Sequence, residues 1–209
     1  MKHLFSFSTF FLFSICLSAQ SIEGLSIVSP LQQGYISVQK NNLWGILDST
    51  GVMAIAFRND LIYNENPTTQ TDIGVASIRF PILSDDRTII RKDDKGIAYY
   101  GFIDSRGTVV IEPRFLNASP FKDGKALVLQ IDEQFLGRND LLDITIRTYS
   151  YDVVLIDKAG NVLSYVAGPF PVAVSKEKLR TAPPVEAKWV GKNLIAVKTP
   201  DKKWKIQKI

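Results

Sequence analysis

Tyr99-Tyr100-Gly101-Phe102-Ile103-Asp104-Ser105-Arg106-Gly107-Thr108-Val109-Val110-Ile111-Glu112-Pro113-Arg114-Phe115 decides how this chain is built. It reads as strand, tight turn, strand. Phe102 and Ile103 end an apolar run, Asp104 to Gly107 supply the turn, and Val109 to Ile111 start a β-branched return strand that Pro113 stops. An aspartate at the first turn position accepts hydrogen bonds from the backbone two residues on, and a glycine at the last tolerates positive φ.

The pattern recurs. Trp44-Gly45-Ile46-Leu47-Asp48-Ser49-Thr50-Gly51-Val52-Met53-Ala54-Ile55 matches Tyr100 to Ile111 position for position. Val153-Val154-Leu155-Ile156-Asp157-Lys158-Ala159-Gly160-Asn161-Val162-Leu163 repeats it without the aromatic-Gly pair, and Lys203-Trp204-Lys205-Ile206 stands where a fourth copy would begin. Internal repeats at such spacing mark an array of one supersecondary unit. The expected units are approximately 34–73, 74–124, 125–187 and a partial 188–209, after a leader at 1–19.

Each turn has an alternating stretch upstream: Gly34 to Lys40, Gly74 to Phe80, Lys125 to Gln130 and Leu194 to Lys198. Alternation predicts strands with one face in a core. In the middle two units, residues 83–98 and 131–151 intervene as polar insertions. Their strand-like Thr88-Ile89-Ile90 and Ile144-Thr145-Ile146 suit long hairpin arms. No stretch beyond the leader sustains a helical period, and Gly, Pro, Asn and Asp punctuate short β runs. The expectation is an all-β fold of stacked antiparallel hairpins with little or no helix.

With Ile111-Glu112-Pro113-Arg114-Phe115 and Phe121-Lys122-Asp123-Gly124-Lys125-Ala126-Leu127-Val128 added, the repeat resembles the WG-repeat family, secreted bacterial type. The second copy fits nearly throughout. The first has Ala56-Phe57 in place of the Glu-Pro step, the third keeps the hairpin turn, and the fourth is a fragment. The resemblance implies stacked β-hairpins serving as an interaction scaffold in secreted or surface proteins, with no shared catalytic residues. The repeat positions it marks are Trp44, Gly45, Asp48, Gly51, Tyr100, Gly101, Asp104, Gly107, Asp157 and Gly160. In physical terms the aromatics Trp44, Tyr100 and Trp204 pack in a core, and the glycine admits a neighbouring backbone. Single hairpins are marginal, so stacking supplies the shared core.

Residues 1–19 read as a secretory signal peptide: Lys2, an apolar run from Leu4 to Leu17, and a small-residue end at Ser18-Ala19, making Gln20 the first mature residue. An uncleaved anchor and lipidation at Cys16 are the alternatives. The run falls short of the roughly 20 residues of a membrane span, so the mature chain is expected to have none. The single His, His3, and the single Cys, Cys16, both lie in this segment. A mature chain without imidazole or thiol builds no Ser-His-Asp triad, no Cys-His dyad, no disulfide, and no His- or Cys-ligated zinc or haem. No cofactor and no metal site are expected. The formal charge of +4 falls to +3 with Lys2 and is evenly spread, which does not favour nucleic acid.

Carboxylates are the main chemistry left. Asp85-Asp86 and Asp93-Asp94 flank the strand of the first insertion, and Asp132-Glu133, Asp140 and Asp143 sit in the second. Two of them converging in a cleft would support glycoside hydrolysis, and a cluster would bind calcium; loop charge balanced by Arg87, Arg91, Lys92, Lys95 and Arg138 is the plainer reading. Asp48, Asp104 and Asp157 are turn formers, since one position recurring in every unit is structural. Ser175-Lys176 and Lys178 form no convincing dyad, because neighbours on a strand face opposite ways. Trp189, Trp204, Lys202, Lys203 and Lys205 are the candidate ligand residues: basic groups interleaved with tryptophan suit stacking and anion contact. The alternative is an edge strand guarded by lysine. Asn117-Ala118-Ser119 fits a glycosylation sequon. These readings lead to a secreted or periplasmic, non-enzymatic binding scaffold of the cell envelope, its partner an unknown protein or an envelope glycan. A carboxylate-based, glycan-directed hydrolase is the rival.

Overall fold

The Asp-x-x-Gly turn folds as one hydrogen-bond pattern in three places. Asp104 Oδ1 accepts from the backbone N–H groups of Arg106 and Thr108, both at 2.9 Å. Asp48 Oδ1 does the same for Thr50 and Val52, and Asp157 Oδ1 for Ala159 and Asn161. The closing residues Gly51, Gly107 and Gly160 stand at φ of 85°, 82° and 86°. This is a type I turn followed by a left-handed residue, a loop that joins antiparallel strands with the correct twist.

The computed structural model describes residues 21–68, 72–139, 141, 143–173, 179–199 and 201–209. The expected leader, with His3 and Cys16, lies outside them, as do Asp140, Ser175, Lys176 and Lys178. The chain is all-β. A four-stranded sheet runs in order β1 (Ile27–Val28), β2 (Tyr35–Lys40), β3 (Leu43–Asp48), β4 (Met53–Arg58). A six-stranded sheet holds β5 (Thr88–Asp94), β6 (Ile97–Ile103), β7 (Val109–Ala118), β8 (Lys125–Asn139), β9 (Ile144–Asp157) and β10 (Val162–Ala173), neighbours in that order. A three-stranded sheet of β11 (Ala187–Gly191), β12 (Leu194–Lys198) and β13 (Trp204–Lys208) closes the chain. Every named pairing is antiparallel.

Each unit begins one turn earlier than its alternating strand. Gln33-Gly34, Asp85-Asp86 and Asp123-Gly124 all take positive φ at both positions, between bridged residues Gln32 and Tyr35, Ser84 and Arg87, Lys122 and Lys125. Two successive left-handed residues define a type I′ hairpin turn. The second unit therefore begins near residue 84, and its upstream strand is β5. The strand expected at 74–80 is absent: Val75–Ser77 is a 3-10 turn and the flanking residues are irregular. Side chains, one of them from 42 residues away, satisfy that backbone in place of a ladder. Asp72 accepts from the Gly74 N–H, Asn117 Oδ1 accepts from the Val75 N–H, and Asn64 Nδ2 donates to the carbonyls of Val75 and Ile78.

The units differ in arm length. The β2–β3 hairpin turns at Asn41-Asn42, β5–β6 at Lys95-Gly96, and β8–β9 runs out to Asn139 before returning at Ile144. The expectation of a long arm at 131–151 holds.

The six-stranded sheet is covered on both faces where β8 and β9 start and end. Ala126, Val128, Val154 and Ile156 point into a core with Phe102, Phe115 and Phe121, roofed by Ile62, Val75 and Ile78 from the 59–83 segment. Leu127, Leu129, Val153 and Leu155 point the other way, against Leu179, Val185, Ile195 and Val197. A third cluster joins the first sheet to the second through Trp44, Ile46, Ile55, Leu83, Ile90 and Ile103. Trp44 and Tyr100 are buried as expected. Trp204 is not: it is 41% exposed, on the edge strand β13.

Candidate functional site

The aromatic-Gly pair places a bulge, and the bulge aims an arginine. Opposite Gly101 the register slips: Tyr100 pairs with Phe115 and Phe102 with Ile111, so β7 carries extra residues, Pro113 among them. A Cβ on Gly101 would lie 2.3 Å from the Ile111 carbonyl oxygen and 2.6 Å from Pro113 N. A slip one residue smaller occurs opposite Gly45, where Ile55 O is 3.2 Å away. Proline fits a bulge because no ladder bond is required there. Ten residues after each turn aspartate stand Arg58, which pairs with Trp44 just past its bulge, and Arg114, the last residue of its bulge. Arg58 Nη1 donates to the Gly107 carbonyl (3.2 Å) and Arg114 Nη2 to the Gly160 carbonyl (3.0 Å), each reaching the turn of the next unit. The equivalent third residue is Ala167, and the clamp stops there.

The type I′ turns of the three units also meet. Ser84 Oγ donates to the Phe121 carbonyl (2.6 Å) and lies 2.9 Å from Gln33 Oε1, while the Gly124 N–H donates to Asp85 Oδ2 (2.7 Å). Beside this junction opens a groove of about 590 Å³. Gln33, Ser84, Phe121 and Lys122 come to it from the three turns, Ile73 and Ser77 from the irregular segment, and Trp189 from β11. The Lys122 ammonium stands 5.7 Å from the Trp189 ring, and among the described residues it has no carboxylate partner. The groove thus offers an aromatic wall, apolar flanks, the Lys122 ammonium and the Asp72 carboxylate, whose Oδ1 is taken by the Gly74 and Val185 N–H groups.

The five ligand residues named from the sequence do not converge. Trp189 borders this groove. Trp204 lies on the opposite face of the terminal sheet, with Lys188 4.8 Å above its ring. Lys203 pairs with Asp201 at 3.4 Å. Lys202 and Lys205 border a different cleft, at the seam between β10 and the terminal sheet, beside the ring pair Tyr151 and Phe170. Burial, and secondarily the Glu186 charge, pushes the Tyr151 phenol up. β13 is an edge strand carrying Lys205 and Lys208, as the guarded-edge alternative requires. Nothing in the sequence marks Lys122, Tyr151 or Phe170 as site residues beyond Tyr149 and Tyr151, two apart on one strand, which signal an aromatic face.

Of the candidate carboxylates, Asp94 and Glu133 border one cleft beside Arg147 and Arg180, and Asp93 borders another with Asp60 and Arg91. Asp86 Oδ1 accepts from the Ser105 N–H, Asp93 pairs with Arg91, Glu133 with Arg147, and Asp143 with Arg138. Asp152 is pushed up by burial and then by the Asp132 charge, yet it borders none of these grooves. Hydrogen bonds hold all three turn aspartates low: chiefly from the Thr50 side chain to Asp48, the Thr108 backbone to Asp104, and the Asn161 side chain to Asp157. Among the described residues no group of three His, Cys, Asp or Glu side chains is placed to hold a metal, and no helix is long and apolar enough to cross a membrane. The sequon residue Asn117 is 1% exposed and donates to the Pro183 carbonyl (2.7 Å), so the folded chain does not present it.

Residues 100–130, from the aromatic-Gly pair through the bulge, the clamping arginine and the next type I′ turn, match the family described as "WG containing repeat". That segment is similar to a WG repeat. The matched WG segment supplies Phe121 and Lys122 to the groove and Arg114 to the stacking clamp. No curated protein and no solved structure matches the chain significantly.

Proposed function

We propose that this protein is a non-enzymatic binding scaffold that works outside the cytoplasm, and that its ligand is an acidic glycan of the cell envelope. The observation that carries the reading is the groove at the turn junction. It is the largest of the clefts described, it draws residues from three turns and the terminal sheet, and it sets against Trp189 the Lys122 ammonium, which has no carboxylate partner among the described residues. A sugar ring presents C–H groups to an indole, and a uronate or lactyl carboxylate answers the ammonium. Large apolar clefts with a few polar groups are where ligands bind. The leader-like run at 1–19 supports export.

Two measurements test the two halves. Mass spectrometry of the exported protein is expected to show a new N-terminus at Gln20; an intact Met1 on a cytoplasmic product would sink the extracytoplasmic half. A thermal-shift panel of peptidoglycan fragments, acidic and neutral oligosaccharides and calcium tests the other. A folded-state ligand adds about 2.7 kcal/mol at a hundred times its dissociation constant, so an acidic glycan is expected to raise the midpoint. A shift with calcium alone, or with no glycan, would overturn it.

A further inference from the structure

The seam between β10 and the terminal sheet holds a second cleft, independent of the glycan reading. Its two lobes, of about 250 Å³ and about 270 Å³, share Phe170, Val197 and Thr199. The first lobe adds Tyr151, Pro184 and Lys202, and the second adds Pro169 and Lys205. Tyr151 and Phe170 form a tilted ring pair with centroids 5.2 Å apart. The walls are therefore aromatic, proline and valine.

The charges sort in an informative way. Lys198 is tied to Glu186 at 2.8 Å, Lys203 faces Asp201, and Lys188 stands over Trp204. Lys192 and Lys208 do not border the cleft. Lys202 and Lys205 have no carboxylate partner among the described residues, and these two are the lysines that flank the shared wall, one in each lobe. Unpaired cations at the rim of an apolar slot complement a ligand with an apolar body and an anionic head. Glu186, which also lines the first lobe, is already engaged by Lys198.

We propose that this cleft binds a small amphipathic organic anion, its ring or alkyl body against Tyr151 and Phe170 and its carboxylate or sulfonate between Lys202 and Lys205. The probe is 8-anilino-1-naphthalenesulfonate, read by its fluorescence, with N-phenyl-1-naphthylamine as the uncharged analogue. The full chain is expected to bind the sulfonate at one saturable site, more tightly than the neutral amine. The double variant K202E/K205E is expected to weaken the sulfonate by about tenfold or more, the scale of one lost charge-assisted contact, and to leave the amine unmoved. Phe170→Ala weakens both, and Trp189→Ala changes neither. Both lysines are exposed, so the charge variant is expected to keep its unfolding midpoint and decides the matter if Phe170→Ala fails to fold. Sulfonate affinity unchanged in K202E/K205E, equal affinity for both probes, or a loss reproduced by K192E/K208E would overturn the proposal.

Discussion

Gly101 shows how much a single position can carry. The positions of Gly45 and Gly101 are equivalent, yet the backbone opposite Gly101 is far closer. Gly101→Ala is expected to destabilise at the upper end of the ~1–3 kcal/mol typical of overpacking, and Gly45→Ala by about 1 kcal/mol; chemical denaturation of both measures it. Equal effects would mean that the bulge relaxes freely. The turn aspartates make a pH prediction. Their folded pKa values lie below the unfolded one, so their contribution is complete above the unfolded value and fades as pH falls through the folded one. The unfolding midpoint is expected to hold from neutral pH down to about pH 5 and to fall below about pH 4. An Asp104→Asn variant flattens that fall. Residue roles of this kind were legible in the sequence, because an Asx turn is local chemistry. The arginine clamp was not: Arg58 and Arg114 mark their role only by standing ten residues after Asp48 and Asp104, and the partner is a carbonyl.

At the scale of the element, the unit is a bulged hairpin with a fixed base and a variable arm. The base is set by the type I′ turn, the Asp turn and the arginine; the arm varies from β2–β3 to β8–β9. Arg58→Ala and Arg114→Ala are each expected to cost about 1 kcal/mol, the usual net value of a hydrogen bond. Arg58→Ala also frees Asp60, its partner at 2.7 Å. No loss in either variant would show that stacking depends on the core alone. Replacing residues 132–150 by Asn-Gly, a favoured two-residue turn, is expected to leave the far-ultraviolet circular dichroism of the remaining sheet and the unfolding midpoint nearly intact; unfolding would place part of the core in the arm. The strand expected at 74–80 failed for a physical reason. Val75 and Ile78 are buried, but at a spacing of three rather than the two of a strand, and Asn64, Asp72 and Asn117 satisfy the backbone, the last from 42 residues away. The second unit hid its start because Asp85-Asp86 takes the positive-φ turn that Gly34 and Gly124 mark elsewhere.

At the scale of the molecule, three stacked units and a terminal sheet leave clefts at their junctions. Fold class was visible because the Asp-x-x-Gly turn recurs. The sites were not, because alternation along β13 and the register of β11 send Trp189 and Trp204 to opposite faces. What the sequence presents as one basic-aromatic cluster becomes a groove residue, a surface stack and a cleft rim. The central functional claim rests on Trp189 with Lys122, and tryptophan fluorescence reads that wall directly. Trp44 is buried and Trp204 lies on the far face, so a ligand in the groove should perturb the emission of Trp189 alone. Titration with the acidic glycan that raises the unfolding midpoint is predicted to give a saturable emission change in the wild type and in Trp204→Phe, and none in Trp189→Phe. An unchanged response in Trp189→Phe, or one lost in Trp204→Phe, would contradict the account.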